Sequence, residues 1–359
     1  VTTVRRPPRL GAASTIDFGR SVRVLRVRGV TTRFGMRGLV VTVVLLAAAC
    51  VVALLALGTG DFAIPPDRVV RALLGNGVGG DELVVREWRM PRVLMALVLG
   101  AALGMSGAIL QSVTRNPLGS PDIVGFNSGA YTGALLVLLS GGGYYATAAG
   151  ALGGGLLTAL AIFLLAFRQN VKGFRLIIVG IGVGAMLAAV NTWLILRADL
   201  DEAMSAAAWG VGTLDGLTWD EIVPALVVLA ILAVAVVPAA YRLQVLELGD
   251  DTAQALGIRV GRARLVLTVL SVAFTAVGTA VAGPIAFVAL AAPQLGRRLA
   301  RTPTIAILPA AAMGALLLVV CDWISRRAFA PTTLPVGVVT ASIGGAYLAY
   351  LLVAEARRN

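Results

Sequence analysis

The chain has 359 residues, of which 58% are hydrophobic and only 13% charged, far outside the range of soluble globular domains. Its net charge of +12 comes from 30 basic and 18 acidic residues, but basic residues interleaved with aromatics on a folded face, as nucleic-acid binding requires, are missing. These numbers exclude a soluble domain and a nucleic-acid partner, and leave a polytopic membrane protein.

Residues 1–37 contain nine arginines and are expected to form a basic cytoplasmic tail, disordered and touching anionic lipid. Uncharged runs follow at 38–60, 93–114, 123–167, 176–196, 222–241, 265–296, 302–321 and 328–354. A spanning helix needs about 20 apolar residues, so each run holds at least one. The stretch from Leu39 to Leu57 is long for a signal-peptide core and no small-residue cleavage site stands out, so it reads as the first span. The run 123–167 must fold back on itself, with "SGGGYYA" as its turn.

The run 265–296 is long for one helix and short for two, and Gly283-Pro284 breaks it inside. Charge decides the matter. "GRAR" before it and "RRLAR" after it are both basic, the positive-inside rule puts both in the cytoplasm, and the run must therefore cross twice. The expected fold is all-α, a ten-helix domain over 38–355 with both termini cytoplasmic. Cytoplasmic segments then carry 22 of the 30 basic residues and 6 of the 18 acidic ones, so the high basicity reports orientation.

Histidine is absent, which removes the commonest metal ligand and general base. Cys50 and Cys321 lie in or at the edge of apolar spans and suggest neither a disulfide framework nor a metal site. Lys172 is the only lysine, in "NVKGF", so no phosphate-binding P-loop can exist here and any ATP hydrolysis belongs to another subunit. Spans nearly free of ionisable groups disfavour an ion-coupled carrier. The pair Asp250 and Asp251 has no second acidic cluster on its side, which disfavours a membrane transferase holding magnesium. The chain is expected to be no enzyme and to bind no metal or cofactor itself.

Glycines recur at helix-packing spacing: Gly100 and Gly104, Gly150 and Gly154, and Gly180, Gly182 and Gly184. Small faces permit close backbone approach in lipid; a tight bundle and a surface on which helices shear along a pathway both fit. The stretch "TRNPLGSPD" (114–122) reads as an ordinary cytoplasmic turn, because Pro117 and Pro121 cannot continue a helix. The segment 246–262 separates the sixth and seventh spans and is capable of a short helix. Asp250 and Asp251 stand at its start, where the helix dipole favours anions. Ala253 and Leu256 share a face at i, i+3 spacing, and Gly257 is placed to end the helix with a left-handed residue.

Five blocks carry a family likeness in order. They are "EWRMPRVLMALVLGAALGMSGAILQSVTRNPLGSPDIVGFNSGA" (87–130), "FRLIIVGIGVGAMLAAVNTWL" (174–194), "LELGDDTAQALGI" (246–258), "GPIAFVALAAPQLGRRL" (283–299) and "DWISRRAFAPTTLPVGVVTASIGGAYLAYLL" (322–352). Together they resemble the FecCD family of permeases, the membrane subunits of ATP-driven importers for ferric siderophores, haem and vitamin B12. Within the family the wording is closest to a permease of a ferric-enterobactin importer. The resemblance implies the type II ABC importer permease fold, a multi-pass place in the bacterial cytoplasmic (inner) membrane, and a catecholate-type siderophore as cargo. Vitamin B12 or haem as cargo, and an ion-coupled carrier, stay open as alternatives.

As partners the resemblance implies a second FecCD-type permease, heterodimer favoured over homodimer. It also implies two cytoplasmic ATPases, which bind ATP and Mg, and a siderophore-binding lipoprotein or periplasmic protein. It casts Leu246, Leu248, Gly249, Asp250, Asp251, Ala253, Leu256 and Gly257 as the segment that couples to an ATPase. Arg89, Arg92 and Arg326 become the docking points for the binding protein; from the residues alone, Arg89 and Arg92 serve equally as snorkelling helix-end anchors. Asn191, Thr192, Gly182 and Gly184 fall on the fifth span, which lines the translocation pathway in the family, although a buried Asn is as often an interhelical hydrogen bond. Where the family commonly has Pro-His, this chain has Pro293-Gln294, a polar group that cannot titrate.

Overall fold

The computed structural model describes residues 22–27, 30–60, 62–166, 173–302, 306–328 and 332–356. A hairpin of β1 (Val22–Val27) and β2 (Val30–Gly35), antiparallel with Val27 opposite Val30, leads directly into α1 (Met36–Gly58). The tail was expected to be disordered throughout; 22–35 instead pair as strands, in keeping with the β-branched residues at 22, 24, 27 and 30–32. Residues 1–21 lie outside the described residues.

Then come α2 (Pro66–Leu73), a π-helical stretch (Leu83–Arg89) continuous with α3 (Met90–Thr114), α4 (Phe126–Leu138), α5 (Tyr144–Ala166) and α6 (Gly173–Arg197). The second half holds α7 (Leu200–Val211), α8 (Trp219–Glu247), α9 (Asp250–Ala255), α10 (Val260–Ala282), α11 (Val288–Ala300), α12 (Ile307–Arg327) and α13 (Val336–Ala356).

Among the described residues seven helices are long and apolar enough to cross a membrane: α1, α3 with its π-helical lead, α5, α6, α8, α10 and α12. The other three expected spans fall on α13, apolar over Val336–Tyr350, and on α4 and α11, each of 13 residues. Thirteen residues rise only about 20 Å against a hydrocarbon core of about 30 Å, so helix length alone does not carry α4 or α11 across. Each is reached through a non-helical stretch, 115–125 before α4 and 283–287 before α11. Irregular backbone at membrane depth is tolerated where protein surrounds it, and Ser120, Val124, Ile285 and Gly283 are all buried. The helices α2 and α7 are additional to the expected spans, being too short for a reading based on runs of about 20 residues.

The core centres on α3, which packs against α10, α11 and α12. Its glycines make this possible: a Cβ on Gly104 would run into the carbonyl of Ala310, and one on Gly100 into that of Gly314. Gly150 and Gly154 of α5 back onto Gly133 and Gly129 of α4 in the same way. Between α3 and α10 the buried hydroxyls of Ser106, Ser271 and Thr275 hydrogen-bond one another at 2.8–2.9 Å, which satisfies polar groups that would be costly unpaired in lipid. At the start of α8, Glu221 accepts from the backbone N–H of Thr218 at 2.9 Å, half of a capping box.

Candidate functional site: two charged ends of the bundle

One cluster forms where α1 ends, α3 begins and α12 ends. Arg92 is buried and donates from Nε to Asp322 at 2.8 Å and from Nη1 to Asp215 at 2.6 Å. Asp322 is 0% exposed, and Arg326, one turn on, pairs with its other oxygen at 3.0 Å. Arg326 also donates to the carbonyl of Ala56 at 3.2 Å. Arg89 donates to the carbonyls of Leu57 at 2.8 Å and Phe62 at 2.6 Å. The last carbonyls of α1 have no intrahelical partners and sit at the negative end of its dipole, so arginines suit them. Two cations thus flank one buried carboxylate, Arg92 by a hydrogen bond and Arg326 by a close ion pair without hydrogen-bond geometry, and offset the cost of its desolvation.

The three arginines cast for docking are thus brought together, and the side chains of Arg92 and Arg326 are turned inward. A more open cation, Arg327, next in the chain to Arg326, stacks on Trp323 at 5.5 Å, and at the end of α6 Arg197 stacks on Trp193 at 5.0 Å, both arginines exposed.

The opposite end gathers around α9. Gly249, at φ +116°, turns the chain out of α8, and Gly257, at φ +80°, closes α9 in the left-handed region that favours glycine. Asp250 accepts from Arg115 and, at 2.9 Å, from Arg264. Arg115 also donates to the carbonyl of Leu246 at 2.7 Å, and Ser112 donates to Glu247 at 2.6 Å. The segment is therefore fastened to the end of α3 and the start of α10.

Leu246 and Ala253 are buried, whereas Leu248 is 63% and Leu256 56% exposed; Asp251 is exposed beside them. Ala253 and Leu256, expected on one face, thus differ in burial. Leu256 caps the helix and its N–H still donates to the carbonyl of Thr252 at 3.0 Å, so the helical spacing is kept while only Ala253 is covered by the bundle. Arg115 was missed: 114–122 read as an ordinary turn, and the one signal was an arginine followed by Asn-Pro, where a helix had to end.

Along α6, Gly184 and Asn191 face the α4 region, Gly184 against the backbone of Gly125. Asn191 is buried, accepts from Thr132 at 2.7 Å and donates to the carbonyl of Ser128 at 3.2 Å. Its contacts are those of an interhelical fastening. Gly182 and Thr192 sit on the exposed side of α6. Gln294 is buried in α11, donates to Gln111 of α3 at 2.6 Å and accepts from Arg297 at 3.3 Å, while Gln111 donates to the carbonyl of Leu290 at 3.0 Å. The Gln111 amide thus both accepts from and donates to α11. Among the described residues no group of three or more Cys, Asp or Glu could hold a metal ion.

A bundle of apolar helices, a buried ion cluster at one end and an apolar-tipped short helix at the other define a multi-pass membrane protein of the permease class. The model of the FecCD transport family matches residues 37–354, and the chain belongs to that family. It is 48% identical over 325 residues to the ferric enterobactin transport system permease protein FepG of Escherichia coli (strain K12), covering 90% of this chain and 98% of the relative. It is 36% identical over 334 residues to a siderophore transport system permease, YfhA of Bacillus subtilis (strain 168), covering 89% and 97%. Among solved structures it matches an inward-facing conformation of a metal-chelate type ABC transporter with TM-score 0.77 and 25% identity, over 88% of this chain and 99% of the other.

Proposed function

We propose that the chain is the membrane subunit of an ATP-driven importer of a ferric siderophore of the catecholate type. The observation that carries this reading is the α9 segment: two glycine-set turns and the Arg115–Asp250–Arg264 cluster fix a short helix flanked by two exposed leucines, Leu248 and Leu256. Exposed leucines on a fixed mount suit docking into a groove of a partner. In this reading that partner is a cytoplasmic ATPase, which supplies the ATP and Mg site that this chain cannot form, and two such subunits serve a pair of permeases, as a heterodimer. The likeness to FepG supports the cargo.

At the outer end a siderophore-binding protein delivers the cargo. Arg89, Arg92 and Arg326 contribute by fixing, from within, the rim on which it lands. Gly182 and Thr192 of α6 face the pathway.

The test is uptake of radiolabelled ferric enterobactin into proteoliposomes holding this chain with its partner permease, ATPases and loaded binding protein. Uptake that requires ATP supports the proposal. Uptake driven by a proton or sodium gradient without ATP contradicts it.

A further inference from the structure

The two short helices begin inside the bundle, and the irregular stretches leading into them meet. Asp122, just before α4, accepts a hydrogen bond through Oδ2 from the backbone N–H of Phe287, just before α11, at 2.9 Å. Asn127 in the first turn of α4 reaches the other carboxylate oxygen at 3.5 Å, and its own oxygen accepts from Thr279 of α10 at 3.4 Å. One carboxylate therefore joins the α3–α4 break to the α10–α11 break, 165 residues apart in sequence. From Phe287 to the basic end of α11 at Arg297 is about 15 Å of helix, so the contact lies well away from the headgroups.

Phe287 is held in an uncommon state. Its φ is +68°, left-handed, which a bulky side chain rarely adopts. As the residue capping α11 it makes no side-chain hydrogen bond to that helix, and a carboxylate from elsewhere supplies an acceptor at the positive end of the dipole. Its ring lies where a Cβ on Gly344 of α13 would be, so only glycine fits there. A strained residue fixed by one external acceptor on one side and by ring packing on the other has the makings of a two-state element.

We propose that Asp122 is a positioning residue for transport: by capping Phe287 it latches the two breaks together and holds α11 and, through the Phe287 ring, α13 in the present arrangement. Loss of the acceptor releases Phe287 from the left-handed region and moves α11 relative to the rest of the bundle. The proposal rests on the importer reading for its consequence in transport, but not for the movement itself.

The experiment uses the full chain with its partner permease and ATPases in lipid nanodiscs, spin-labelled at Leu299→Cys on α11 and Tyr241→Cys on α8, both exposed positions, with the two native cysteines replaced. Asp122→Ala is expected to shift or split the distance distribution and to lower ATP-driven uptake at least tenfold. Asp122→Asn, which keeps an acceptor oxygen, is expected to retain the wild-type distribution and at least half of the uptake. In a Phe287→Gly background, where the left-handed conformation costs little, adding Asp122→Ala is expected to change the distribution little; this pair decides the matter if Asp122→Ala alone fails to assemble.

A wild-type distribution and uptake in Asp122→Ala, or an Asn variant as damaged as the Ala variant, overturns the latch. So does an undiminished effect of Asp122→Ala in the Phe287→Gly background. The distances need neither cargo nor ATP. Wild-type protein that fails to take up ferric enterobactin while its distances still respond to Asp122 therefore counts against the cargo, and not against the latch.

Discussion

The two ends of the bundle use the same chemistry to opposite purposes. At one end Arg92 and Arg326 are withdrawn from solvent around Asp322, and Arg326 also reaches one of the last carbonyls of α1. At the other, Arg115 and Arg264 hold a half-exposed Asp250 so that what lies beside it, Leu248 and Leu256, is presented outward. Burial decides the difference: a buried pair is costly to break because it strands a charge, whereas an exposed pair contributes little stability and mainly fixes geometry. The first cluster should therefore govern whether the protein stands, and the second whether it is driven.

The largest effect expected is on the buried side. Asp322→Ala leaves Arg326 without a carboxylate and Arg92 with only Asp215, and should destabilise the protein by about 3–5 kcal/mol, seen as loss of folded material or a lower Tm in detergent. If the Tm is unchanged, the buried cluster is not the brace described. Next comes Gly257→Val, which forces a β-branched residue to φ +80°. It should cost about 1–3 kcal/mol locally and abolish coupling, read as ATP hydrolysis that no longer tracks uptake.

Arg115→Gln should cost less than about 1 kcal/mol, because its pair with Asp250 is substantially exposed, yet reduce ATP-driven uptake severalfold by freeing the mount of α9. Equal losses of Tm and uptake would erase the contrast between the ends. The smallest effect on stability belongs to Leu256→Asp, within about 0.5 kcal/mol as for an exposed surface position, and it should nonetheless block coupled uptake.

Much of this was legible in the sequence because the signals were local. Apolar runs and basic islands located the helices, the glycine pairs marked the close helix contacts, and Gly257 announced the end of α9. What stayed hidden depended on distant partners. Nothing near Arg92 indicates that Asp215 and Asp322, 123 and 230 residues away, would draw it inward, so its burial could not be read from charge alone. The same holds for Arg115, whose partners, Leu246 of α8 and Asp250 of α9, lie 131 and 135 residues away. The break before α11 was visible in Gly283-Pro284, but not that Phe287 would turn left-handed to meet Asp122. The i, i+3 spacing of Ala253 and Leu256 likewise could not tell that one would be buried against the bundle and the other left exposed.

Central to the proposed function is that a separate ATPase drives this chain through the exposed leucines that flank α9. The most direct measurement is ATP-driven uptake of ferric enterobactin by the reconstituted complex carrying Leu256→Asp, with assembly and Tm recorded alongside. The expected result is a complex of normal Tm whose uptake falls at least tenfold. Wild-type uptake from that variant would show that the drive enters the bundle somewhere else.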